Sequence, residues 1–149
     1  MQQLIYTMLF KGHAAPSESD PQTLHVSLKA ASCSITTVIN HGGLTGGFDP
    51  AAVIDAAFES DVQLLTATTF TERGTISFGK AGHSLNFVSI VDGWMGQSPD
   101  PSLRQGTVTW KVDGGQGQFE GACGTITSNF TIAESGEVSD YHLGIIYLR

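Results

Sequence analysis

Apolar and polar residues alternate along most of this chain, as in Leu24-His25-Val26-Ser27-Leu28-Lys29 and Thr107-Val108-Thr109-Trp110-Lys111-Val112. A period of two places successive side chains on opposite faces of a strand, so both stretches read as strands with one wet face. The same alternation, bounded by Gly, Pro, Asn or Asp, predicts further strands over about 2–12, 33–40, 62–71, 74–79, 83–91, 124–132 and 141–148. The frequent Thr residues suit pleated strands for the same steric reason as other β-branched side chains. One segment breaks the pattern: Asp49-Pro50-Ala51-Ala52-Val53-Ile54-Asp55-Ala56-Ala57-Phe58 offers an N-cap Asp, a Pro at the first helical position and an Ala-rich continuation, which predict a short helix. Two stretches read as loops, His41 to Gly47 and Gly93 to Pro101. The second carries a Trp and a Met, side chains that on a loop cover a cavity mouth or meet a partner subunit.

Composition narrows the class. A chain of 149 residues fits one domain, 1–149, with a core that needs no disulfide or metal staple. Eighteen Gly and a charged fraction of 14% suit many turns and half-buried strands. Seven Lys and Arg against fourteen Asp and Glu give a net charge of −7, which excludes the clustered cations of a nucleic-acid footprint. The apolar start, Met1 to Phe10, has no cationic stretch before it, so no signal peptide is expected. No run approaches the roughly 20 apolar residues of a membrane span. Cys33 and Cys123 cannot form a disulfide framework and lack zinc-ligand spacing, so both are expected to be reduced and buried in a cytoplasmic protein.

Two glycine-rich motifs point further. Ser77-Phe78-Gly79-Lys80-Ala81-Gly82-His83 is followed by Gly114-Gly115-Gln116-Gly117-Gln118-Phe119-Glu120-Gly121-Ala122-Cys123-Gly124. In order and spacing these resemble the Phe-Gly-x-x-Gly-His turn and the glycine loop of allene oxide cyclase, and the dirigent proteins share a shorter form of the loop. The resemblance covers about residues 74 to 132. It implies an eight-stranded antiparallel β-barrel of calycin type, with at most one short helix. A dinucleotide-binding reading of the glycines fails, because Thr125 to Thr131 after them alternates as a strand where a phosphate loop would enter a helix. The glycines instead suit a tight connection with positive φ, with Phe119 plugging one end of the barrel, Glu120 accepting backbone hydrogen bonds and His83 capping the turn. The acidic and Asn positions that serve allene oxide cyclase fall at Thr7 and Leu9. What the resemblance carries over is therefore the container rather than that reaction.

Strand parity then sorts candidate residues. Leu4, Tyr6, Met8 and Phe10 share the more apolar face of the first strand, expected to be the lumen, with Tyr6 as its polar tip. Asp140 and His142 stand at i and i+2, where a carboxylate fixes the tautomer of an imidazole and raises its basicity, as a general acid or base requires; a rim salt bridge is the plainer alternative. Tyr141, Leu143, Ile145 and Tyr147 on the other face line the lumen or pack between subunits, and sequence leaves both open. Catalytic candidates are accordingly Tyr6, Asp140 and His142, and substrate-binding candidates Met8, Phe10, Asn86, Trp94, Trp110, Asn129 and Tyr147. His25 belongs to a polar face turned to solvent or an interface. No histidine pair has metal-ligand spacing, no Ser sits in a nucleophile elbow, and no organic cofactor is implied.

These observations lead to a small cyclase or isomerase of the lyase type. Its substrate is a lipophilic oxygenated molecule held inside the barrel, its main tool is shape, and acid–base assistance comes second. The alternatives are a non-catalytic binder of such a ligand, whose cavity would lack titratable groups, and a dirigent-like helper that only orients an intermediate. Uncharged strand faces and the resemblance both suggest a homo-oligomer, a dimer or trimer.

Overall fold

The computed structural model describes residues 1–149, and the fold is all-β. Nine strands follow in order: β1 (Gln2–Pro16), β2 (Thr23–Asn40), β3 (Gly43–Leu64), β4 (Thr69–Phe78), β5 (His83–Ser89), β6 (Gly93–Gln97), β7 (Leu103–Gln116), β8 (Cys123–Ala133) and β9 (Glu137–Leu148). A short 3-10 turn, Gly117–Phe119, precedes β8. Every pairing is antiparallel, in the order β3-β2-β1-β9-β8-β7-β5-β4, and β4 pairs back onto β3. Eight strands therefore close a ring. β6 shares the position of β5 between β4 and β7: β5 occupies one half of the gap, and β6 fills the other by pairing with Thr69 and Phe70 on one side and Arg104 to Thr107 on the other.

Alternation sets the inner face. Phe10, Leu28, Phe58, Ile76, Leu85, Trp110, Ile126 and Ile146 are all but fully buried and form one cluster. Its centre is aromatic: Phe58 stacks on Phe87 at 5.2 Å between centroids, and Phe87 tilts against Trp110 at 4.5 Å. Contacts of this type contribute about 0.5–1.5 kcal/mol each beyond the burial of area. This layer fills the middle of the ring and leaves room only nearer the ends.

Several expectations change. The segment predicted as a helix from Asp49 is part of β3, whose backbone pairs with β2 at Cys33↔Pro50 and Ser34↔Asp49. Cross-strand hydrogen bonding overrides the local helix signals, and Pro50 is accommodated because β3 has no second neighbour there. The glycine-rich stretch from His41 is the tip and far strand of the same hairpin. That hairpin runs beyond the ring as a two-stranded arm, after register shifts between Ala30 and Cys33. Gly93 to Gln97 is not loop but β6. Neither cysteine is buried: both are free, Cys33 half-buried and Cys123 exposed. No helix is long and apolar enough to cross a membrane.

Candidate functional site

At the end of the ring opposite the arm lies a partly open cavity of about 50 Å³. Nine of its eleven lining residues are hydrophobic, among them Val26, Val62, Phe70, Met95, Phe130 and Val138. The two others are Glu72 and Asp140. Pockets for drug-sized ligands measure ~300–1,000 Å³, so this one is several-fold smaller.

Glu72 points inward because it holds the same phase of β4 as Phe70 and Ile76. Ser60 Oγ donates to its Oε1 at 2.6 Å and Trp110 Nε1 donates to its Oε2 at 3.1 Å. Burial pushes the carboxyl up to about 8; the bond from Ser60 opposes this, the charge of Asp140 adds to it, and the bond from Trp110 opposes it. At neutral pH Glu72 is therefore mostly the neutral acid, able to donate a proton.

Asp140 reaches the same pocket from β9. Ser128 Oγ donates to its Oδ1 at 2.5 Å, and His142 Nε2 lies 2.9 Å from its Oδ2. The i, i+2 spacing thus yields a hydrogen-bonded pair, but in one order only: Asp140 faces the cavity and His142 stands behind it. The imidazole is enclosed by Phe10 at 4.6 Å and Trp110 at 5.0 Å, and its Nδ1 is buried without a partner. With Nε2–H directed at the carboxylate, Nδ1 is left as the acceptor. The pocket thus brings together Glu72, a neutral acid at neutral pH, and Asp140, whose carboxyl is held by a hydroxyl and an imidazole.

No family model, curated protein or solved structure matches this chain.

The other sequence candidates divide by parity. Tyr6, Met8 and Phe10 do face the interior, packed on or within the core cluster. Tyr6 lies away from the pocket, edge-on to Phe78 at 5.8 Å, with its ring over Gly144, where any Cβ would collide with it. Its hydroxyl is buried without a partner, and burial, followed by the charge of Asp140, raises its pKa well above the ordinary phenol. Trp110 is fully buried and acts through its bond to Glu72. Asn86, Trp94, Asn129 and Tyr147 project outward, so the ring does not bring them to the cavity. Asn86 accepts from Thr75 Oγ1 at 3.1 Å, Tyr147 from Gln3 Nε2 at 3.2 Å, and Trp94 and Asn129 line a shallow outer groove.

The glycine motif is structural. Gly114, Gly117 and Gly121 all have positive φ, the conformation only Gly adopts without strain. His83 Nδ1 accepts the Gln118 N–H at 3.0 Å, and Phe119 is buried against Phe78 at 5.4 Å, plugging the end away from the pocket. Glu120 differs from its expected role: it is exposed, and its own N–H donates to Gly117 O. His25, on the outer face, bonds Glu59 and Asp61 at 2.8 and 3.1 Å. No group of three or more His, Cys, Asp or Glu side chains is arranged to hold a metal ion.

Sequence reading missed Glu72 and its partner Ser60, whereas Met95, expected at a cavity mouth or a partner contact, does line the pocket. The signal was present: an acidic residue in the apolar phase of Phe70-Thr71-Glu72-Arg73-Gly74-Thr75-Ile76. The expected break between 71 and 74 leaves Glu72 on no face, whereas β4 runs unbroken through it.

Proposed function

We propose that the closed ring is a β-barrel of the calycin type, and that its pocket binds the oxygenated head of a lipophilic small molecule and directs its cyclisation or rearrangement. One observation carries the reading: two carboxyl groups, Glu72 and Asp140, line an otherwise apolar pocket, the first kept neutral by burial and the second bonded to Ser128 and His142. A carboxyl kept neutral by its surroundings, in a pocket with a second carboxyl, is a recurring basis for acid–base assignment.

Glu72 is the proton donor to a carbonyl or epoxide oxygen. Asp140, braced by Ser128 and His142, takes the proton released from carbon. One proton leaves Glu72 and one arrives at Asp140, so the product is an isomer of the substrate, and return of a proton from Asp140 to Glu72 resets the site. The apolar wall excludes water and limits the conformers of a flexible chain. His142 is assigned positioning rather than contact with substrate, and Tyr6 belongs to the packing of the ring away from the pocket. A passive binder needs no acid at the floor of its cavity, which favours the enzyme over the binder and the helper.

The test is native mass spectrometry of protein purified from its own source, followed by denaturing extraction of the bound molecule. The expected result is an oxygenated lipophile that the wild-type chain converts to an isomer of equal mass and the Glu72→Gln variant binds without converting. A ligand returned unchanged by the wild type makes the protein a binder.

A further inference from the structure

The arm formed by β2 and β3 beyond the ring has two unlike faces. Register pairs Ile35 with Phe48, Ile39 with Leu44, and Ala31 with Ile54, and residues directly opposite one another share a face. One face thus carries Ile35, Phe48, Ile39 and Leu44, with only Thr37 and Gly46 between the two pairs. The other carries Ser34, Thr36, Thr45 and Asp49, with Val38 as its one large apolar side chain among these pairs. The apolar face is bare: Ile39 is 84% exposed, Leu44 71% and Ile54 64%. A lone two-stranded hairpin is at best marginally stable in water. Sidedness of this kind marks a face that is covered.

The same chain offers a matching surface. On the outside of the ring, Tyr141, Leu143, Ile145 and Tyr147 of β9 stand in a row, with Ile5 of β1 opposite Ile145, and all are more than one-third exposed. No charged residue interrupts the row. From these exposures the arm face and the β9 face each present roughly 500 Å², short of the ~800 Å² each partner contributes to a standard interface, and only together do they reach it.

We infer that the occupant of both faces is a second copy of this chain: the apolar face of each arm lies on the β9 face of the other, in a reciprocal two-fold exchange. Such an exchange covers both bare surfaces with one symmetry operation, buries no unpaired charge, and closes at two copies. It leaves the pocket free, at the end of the ring away from the arm.

Sedimentation velocity on the full chain at 1–50 µM tests this, with Leu44→Asp on the arm, Leu143→Asp on β9 and Thr36→Asp on the polar face of the arm as control. All three positions lie outside the core, so far-UV circular dichroism stays that of the wild type. The expected result is a dimer for wild type and Thr36→Asp, and monomers for the other two. A mixture of those two then forms a weaker heterodimer, since one arm and one β9 face remain intact. A monomeric wild type overturns the inference, as does a dimer that survives Leu44→Asp. Loss with Leu44→Asp but not with Leu143→Asp makes the contact arm to arm and overturns the exchange. Flotation of a monomeric wild type with neutral phosphatidylcholine vesicles, abolished by Leu44→Asp, gives the face to a lipid surface instead.

Discussion

Trp110 donates its indole N–H to Glu72 Oε2 at 3.1 Å in the fully buried centre of the ring. A fluorophore is thereby bonded directly to the carboxyl proposed as the acid. Trp94, the only other tryptophan, is exposed on the outer face, so the two report different surroundings. The emission of Trp110 should change as Glu72 ionises, with a midpoint at about 8. The check is a pH titration of the blue-shifted emission in wild type and Glu72→Gln. The transition is expected in the first and absent in the second, and a transition that persists in the variant assigns it to another group.

Stability should carry the same signature. The folded carboxyl titrates at about 8 and an unfolded one near 4.5, so between these values the folded chain holds a proton that the unfolded chain has lost. The contribution of Glu72 is full below about 4.5, declines as pH rises through the window, and is gone above about 8. At about 1.4 kcal/mol per unit, the loss amounts to a few kcal/mol. Gln keeps an acceptor for Trp110 and a donor for Ser60 without titrating. Urea unfolding from pH 5 to 9 should therefore give a flatter curve for Glu72→Gln than for wild type.

The contact of Tyr6 with Gly144 separates shape from hydrogen bonding. Gly144→Ala drives a methyl group into the Tyr6 ring, and overpacking of this kind costs about 1–3 kcal/mol. Tyr6→Phe removes a hydroxyl that has no partner, so it should be neutral or stabilising by up to about 1 kcal/mol. Thermal unfolding of the two variants checks the contrast. A clear loss of stability in Tyr6→Phe would mean that the hydroxyl is bonded in solution.

On the outer face, His25 should titrate above 6.5, chiefly because of its bond to Asp61; desolvation opposes the shift, and the bond to Glu59 supports it. The associated stability is present below 6.5 and disappears as pH rises through the raised value. The group is exposed, so solvent screening keeps this under about 1 kcal/mol. Imidazole proton shifts followed by NMR should show the raised value at low salt and its return towards 6.5 in 0.5 M salt, a salt level that shortens the Debye length to roughly 4 Å.

Much of this was legible in the chain. Period-two alternation gave the all-β class and the inward face of β1, because Leu4, Tyr6, Met8 and Phe10 had no competing pattern. The Asp140–His142 pair was legible because i, i+2 neighbours on a strand share a face. Its polarity was not, since which of the two meets a cavity depends on the strands across the ring. Asn86, Asn129 and Tyr147 have the chemistry to orient a ligand, but each sits one residue away from an inward neighbour, Leu85 or Phe87, Ser128 and Ile146. The helix expected from Asp49 failed for a different reason. Its signals are local, and pairing with residues 31 to 34 is not written in that segment.

β1 and β9 lie side by side, with Gln2 opposite Leu148. During synthesis the strand made early therefore waits, one edge unsatisfied, for the strand made late. Loop closure over such a separation is slow, and an unpaired edge is a template for pairing with other chains. On the ribosome the hazard lies at β1, and it ends only when β9 has emerged.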